Sequence, residues 1–104
     1  MAQFDVYANP NPETKQRIPY LLDVQADLLS SLATRVVVPL ISVADMAKAA
    51  KNLNPQFSVK RTKVIMSTAE LAGVRLNSLG TKVCSLKEQR SAIIAALDFL
   101  ITGF

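Results

Sequence analysis

The sequence predicts a mainly β domain: an antiparallel, barrel-like sheet of short strands carrying one helix at its C-terminal end. Three observations predict it. Short alternating or β-branched runs recur through most of the chain, as half-buried strands do. From Ser85 to Ile101, in contrast, nothing breaks a helix. At 104 residues, 50% of them apolar and 19% charged, the chain suits one compact domain and is too apolar for disorder.

Gln3-Phe4-Asp5-Val6-Tyr7 alternates with Phe4 and Val6 on one face and reads as the first strand. Asn9-Pro10-Asn11-Pro12 stops it, since proline lacks a donor and asparagine favours turns. Tyr20 to Gln25 is a second strand with Tyr20, Leu22 and Val24 inward. Arg35 to Ile41 is a third, apolar on both faces, so something must pack on each side of it. Pro39 within it requires a bulge or an edge.

Ser42 followed by Asp45 is a weak cap for a short helix running to about Lys51, which Asn52 to Pro55 would end. Phe57-Ser58-Val59 and Val64-Ile65-Met66-Ser67 flank the basic tip Lys60-Arg61-Thr62-Lys63 as a hairpin. Val74 to Asn77 is one further short strand.

Ser85-Leu86-Lys87-Glu88 fits a capping box for the terminal helix, and Gly103 stands where a left-handed stop belongs. At 100° per residue, Leu86, Ile93, Leu97, Leu100 and Phe104 form one stripe, with Ile94 and Ile101 on its flank. Ala92, Ala95, Ala96 and Phe99 fall on the far side. A helix this apolar needs cover on more than one side, and a second copy of the chain is the simplest source. Asp98 sits in the last turn, where carbonyl dipoles disfavour an anion by about 0.3–1 kcal/mol.

Composition narrows the chemistry. The net charge of +4 suits an acidic partner at least as well as nucleic acid, and no aromatic is interleaved with the basic tip to stack on bases. With no histidine and a single cysteine, Cys84, neither a metal site nor a catalytic triad is expected, and no cofactor is expected. Cys84 reads as a small buried apolar residue. Asp23 and Asp27 read as solubility and turn chemistry, and Arg35 could serve a nuclease only if other groups assembled around it. No segment approaches the ~20 apolar residues of a membrane span, and no signal peptide opens the chain, so a soluble, cytoplasmic protein is expected. Binding is favoured over catalysis.

Four blocks carry a resemblance. Gln3-Phe4-Asp5-Val6-Tyr7, Leu22 to Leu29 (LDVQADLL), Arg35 to Leu40 (RVVVPL) and Ala96 to Phe104 (ALDFLITGF) resemble, in order and spacing, the CcdB toxins of bacterial toxin–antitoxin modules. The resemblance implies one domain over residues 1–104, an SH3-like barrel with a main antiparallel sheet, a small side sheet and a terminal helix, assembled as a homodimer. It implies a non-enzymatic poison that binds the A subunit of DNA gyrase and blocks resealing of a cleaved duplex. It implies a CcdA-like antitoxin with an acidic tail as partner, and contact with operator DNA only through the toxin–antitoxin complex, which represses its own operon.

Carried over residue by residue, the gyrase contacts fall on Leu28, Leu29, Asp98, Ile101, Thr102, Gly103 and Phe104. One departure stands out: the best-known gyrase poisons of the family have tryptophan where this chain has Thr102, and threonine cannot stack. Two alternatives therefore stand beside the poison. One is a homologue that keeps antitoxin binding but has lost poisoning. The other is a MazF-like endoribonuclease using Arg35 and the basic tip.

Overall fold

In a computed structural model, which describes residues 2–45, 49–50 and 52–103, seven strands form one antiparallel sheet. They are β1 (Asp5–Ala8), β2 (Tyr20–Asp23), β3 (Thr34–Ser42), β4 (Gln56–Val59), β5 (Thr62–Met66), β6 (Ala72–Arg75) and β7 (Lys82–Ser85), followed by helix α1 (Arg90–Thr102). The order is β4-β5-β3-β2-β1-β7, with β6 also on β3. The sheet curls into a half-barrel. Phe57 and Val59 of β4 share one core with Phe4, Val6 and Leu86 from the opposite end of the strand order.

The two faces of the sheet bury different chemistry. Val6, Leu22, Val38, Leu40 and Met66 line the face under α1, which contributes Ile93 and Ala96 as buried residues and Ile94 and Leu97 as half-buried ones. On the opposite face, Tyr7, Val37, Ile41 and Ile65 are buried beside the polar Asp5, Asp23 and Arg35. The two-sided burial expected of β3 is thus present. Val83 and Cys84 of β7 pack half-buried against the core, so Cys84 lies at the edge of the core rather than fully buried as the sequence suggests.

Several elements differ from the sequence reading, each for a local reason. Strand β1 begins at Asp5 because Phe4 takes φ 72°, the left-handed region that a bulky side chain avoids. Burial of its ring, with hydrogen bonds from Phe4 N to Asp23 O (2.6 Å) and from Leu86 N to Phe4 O (2.8 Å), holds it there. Pro39 makes neither a bulge nor an outer edge. Its flank of β3 changes neighbour there, from β6 (paired with Thr34 to Val37) to β5 (paired with Leu40 to Ser42), so no ladder bond needs its missing N–H.

The capping box does not form. Ser85 ends β7, its Oγ accepts from Lys87 N, and α1 starts only at Arg90 after a 3-10 turn over Lys87–Gln89. The strand over Lys82–Ser85 was hidden because its two inward residues, Val83 and Cys84, are adjacent rather than alternate. A register shift between Val6 and Tyr7 accommodates them. Ala96 faces the core rather than the far side of the helix: its small side chain lets the backbone of α1 approach the sheet beside Ile93.

The helix expected over Ser42 to Lys51 is, where described, a 3-10 turn at Val43–Asp45 followed by non-helical Ala49 and Ala50; residues 46–48 and 51 lie outside the described residues. Val74 to Asn77 is likewise split between the end of β6 and a 3-10 turn at Leu76–Ser78. The β4–β5 hairpin stands as expected, with Lys60 and Arg61 both at positive φ, as a two-residue turn of this twist demands.

Candidate functional site

Among the described residues, the most exposed large apolar side chains lie in two stretches. The first is the connection from β2 to β3. There a 3-10 turn at Asp27–Leu29 contains no buried residue, and Leu28 is 92% exposed, with Leu29 and Leu32 each at 47%. The second is the end of α1, where Ile101 is 75% exposed.

Polar contacts hold the first stretch. Gln25 is buried; its Nε2 donates to Leu29 O (2.9 Å) and its Oε1 accepts from Val36 N (3.0 Å). Asp27 Oδ1 accepts from Gln3 N at 2.7 Å, and Gln3 Oε1 in turn faces Arg90 Nη1 at 3.4 Å. Arg90 also stacks its guanidinium 5.6 Å from the Phe4 ring centroid. The turn is thereby tied to the start of α1, at the other end of that helix from Ile101.

Beneath Gln25 lies an ion pair with no solvent exposure on either side chain: Arg35 Nη2 and Nε stand 2.6 and 2.9 Å from Asp23 Oδ2. Arg35 Nη2 also reaches Gln25 O at 3.4 Å, while its Nη1 is buried with no hydrogen-bond partner among the described residues. Burial pushes the Asp23 carboxyl above its usual range, the bonds from Arg35 and from Gln25 N only partly opposing it. Tyr7, buried near the carboxylates of Asp5 and Asp23, is pushed up to about 12, with desolvation the larger cause. Burial likewise raises the Cys84 thiol, which leaves it a poor nucleophile.

At the end of α1, Thr102 Oγ1 donates to Asp98 O (2.7 Å) and Gly103 N donates to Phe99 O (2.9 Å) with Gly103 at φ 80°. This is the left-handed stop expected from the sequence. It fixes Ile101, Thr102 and Gly103 on the surface, with Asp98 exposed one turn earlier.

A match to the family of the CcdB protein spans residues 3–103. The chain belongs to the CcdB family. CcdB proteins are toxins of toxin–antitoxin modules, and the half-barrel with its terminal helix is the architecture expected of one. In this chain, Leu28, Leu29, Asp98, Ile101, Thr102 and Gly103 are all solvent-exposed. Phe104 lies outside the described residues. Leu28 and Leu29 belong to one stretch and the helix residues to the other, and among the described residues no hydrogen bond or ion pair links the two.

Sequence reasoning passed over several neighbours. Leu32 and Leu76 (38% exposed) are also open, and Leu76 N donates to Ala33 O beside a cleft of about 480 Å³ lined by Ala33, Thr34, Arg75, Leu76 and Asn77. Asp23 is not a solubility residue but the buried partner of Arg35. The alternation placing Tyr20, Leu22 and Val24 inward already put Asp23 and Gln25 on the other face. Since that face of β3 had to be covered too, a carboxylate and a guanidinium there had to meet.

Proposed function

We propose that this chain is a non-enzymatic poison of DNA gyrase, binding the A subunit as a homodimer and trapping the complex with cleaved DNA. Membership of the CcdB family supports the reading. The observation that carries it is the exposure of Leu28 and Ile101, two large aliphatic side chains left in water at positions where the resemblance places gyrase contacts. An exposed aliphatic side chain gains about 1.5–3 kcal/mol when a partner buries it, so a rigid pair of such residues is a means of docking. The uncovered flank of α1, with Ala92 and Ala95 exposed and Phe99 half-buried, supports a second copy as the cover that completes the molecule. A two-fold toxin would present each stretch twice to a two-fold enzyme. Neutralisation by a CcdA-like antitoxin, and repression of the operon by the toxin–antitoxin complex, belong to the same reading.

A second reading, a homologue that binds antitoxin but no longer poisons, is favoured by Thr102, whose hydroxyl is turned back onto Asp98 O in place of a stacking ring. The ribonuclease reading loses its base: Arg35 has no solvent exposure and is held by Asp23, so it cannot reach an RNA phosphate.

The test is a cleavage assay with gyrase, ATP and supercoiled plasmid, scored for protein-linked linear DNA. A poison yields linear product that disappears with the Leu28→Ala and Ile101→Ala variants. No linear product from folded protein, together with tight antitoxin binding, would support the second reading.

A further inference from the structure

The Asp27–Leu29 turn poses a physical problem. It exposes two leucines, buries no residue of its own and has no side-chain cap. Backbone bonds from Leu29 N to Ala26 O and from Ser30 N to Asp27 O, with the Asp27–Gln3 contact, close the turn, and none of them ties it to β3. What does so comes from outside the turn, and it is polar.

We infer that Gln25 is a positioning residue, which sets the presented form of Leu28 and Leu29. All four of its polar positions are engaged. The main-chain N–H donates to Asp23 Oδ1 at 3.0 Å and the carbonyl lies 3.4 Å from Arg35 Nη2, so the buried ion pair grips the backbone of Gln25 at both ends. The side chain then bridges strand and turn, accepting from Val36 N and donating to Leu29 O. Only a side chain of this length, with one acceptor and one donor on the same planar group, makes both bonds. Methionine has the volume and neither bond; glutamate, ionised, would set a second acceptor against the Leu29 carbonyl.

The cost of the arrangement points the same way. A fully buried ion pair often stabilises no more than apolar residues of the same volume, and here Arg35 Nη1 is left without a partner as well. Net stability alone therefore does not require the network. Its outward product is the geometry of the 26–29 segment.

The role in target docking rests on the gyrase reading above, and the experiment separates the two. Amide hydrogen exchange is measured on full-length wild type, Gln25→Met and Gln25→Glu. The reporters are Leu29, Ser30 and Leu32, whose N–H groups close the turn onto Ala26, Asp27 and Leu29 carbonyls. Amides of β2 and β3 serve as the core reference. Tenfold or faster exchange at the turn, with unchanged rates in the core, is expected of whichever variant folds.

Equal acceleration of turn and core would show a purely structural glutamine and overturn the inference, as would unchanged exchange at the turn. In parallel, affinity for the gyrase A subunit is measured on fully folded protein. If Leu28→Ala loses binding while Gln25→Met keeps it, positioning is refuted. If wild type itself does not bind, the gyrase reading falls and the exchange comparison alone decides the role of Gln25.

Discussion

Tyr7 is a phenol buried on the polar face of the sheet, 3.4 Å from Asp5 Oδ2 and near the Asp23 carboxylate. Ionising it there would add a third negative charge out of reach of water. Its folded pKa of about 12 stands above the ordinary value of 10.0. A group raised in the folded state contributes stability that is intact below its unfolded pKa and lost as pH rises through the folded one. Roughly 2–3 kcal/mol should therefore disappear between about pH 10 and 12. Urea unfolding followed across that window should show the loss in wild type and a markedly smaller one in Tyr7→Phe; parallel curves would mean the phenol is not confined as described.

Thr102 allows a prediction of gain at the same scale. Its side chain is exposed, and its only described bond is to the Asp98 carbonyl. Thr102→Trp gives up that bond, worth about 0.5–1.5 kcal/mol, and offers a ring of the kind that anchors protein interfaces at 2 kcal/mol or more. The variant should thus melt slightly lower yet yield at least tenfold more linear DNA in the gyrase cleavage assay. Unaltered yield would place the target contact elsewhere than the helix end.

Helix α1 divides at the level of the element into a shaft and an end with different duties. Ile93 has no solvent exposure and belongs to the main core, so Ile93→Ala should cost about 2–5 kcal/mol; Leu97, half-buried, should cost less. Deleting residues 102–104 removes the Gly103 stop and none of these buried contacts. The truncated protein should keep most of its thermal stability and lose binding to gyrase. Collapse of the fold on truncation would make the helix end part of the core.

This division was legible in part. The apolar stripe through Ile93 and Leu97, the terminal glycine stop and the strand pattern of β2, β3 and the basic hairpin all follow from spacing. The helical pattern puts Ala96 on the wrong side because a side chain of one carbon carries little periodic signal. The capping box failed because Ser85 was needed as a strand residue opposite Asp5, and pairing with β1 outweighs a local cap. Gln25 was invisible for another reason: a glutamine in sequence gives no hint whether its amide faces water or bridges two backbone segments.

For the molecule as a whole, charge sets the terms of its encounters. The chain carries +4 overall, and three of its basic side chains are paired internally: Arg35 with Asp23, Lys82 with Asp5 at 3.4 Å, and Arg17 near Glu70 at 3.7 Å. The basic turn of the β4–β5 hairpin is free of such pairs among the described residues, with Lys60, Arg61 and Lys63 all exposed. An acidic antitoxin segment would be drawn to such a surface over a Debye length of roughly 8–10 Å at physiological salt, and over about 3 Å at 1 M. The leucines of the β2–β3 connection and Ile101 would contribute a term that salt does not weaken. Binding of an acidic CcdA-like peptide should accordingly slow in association by tenfold or more between 50 mM and 500 mM salt, while its dissociation rate changes little. Lys60→Ala combined with Arg61→Ala should flatten that dependence, and Leu28→Ala should leave it intact but hasten dissociation. Salt-independent association in wild type would mean that the antitoxin is captured by apolar contact alone, and that the positive charge of the chain serves solubility rather than recognition.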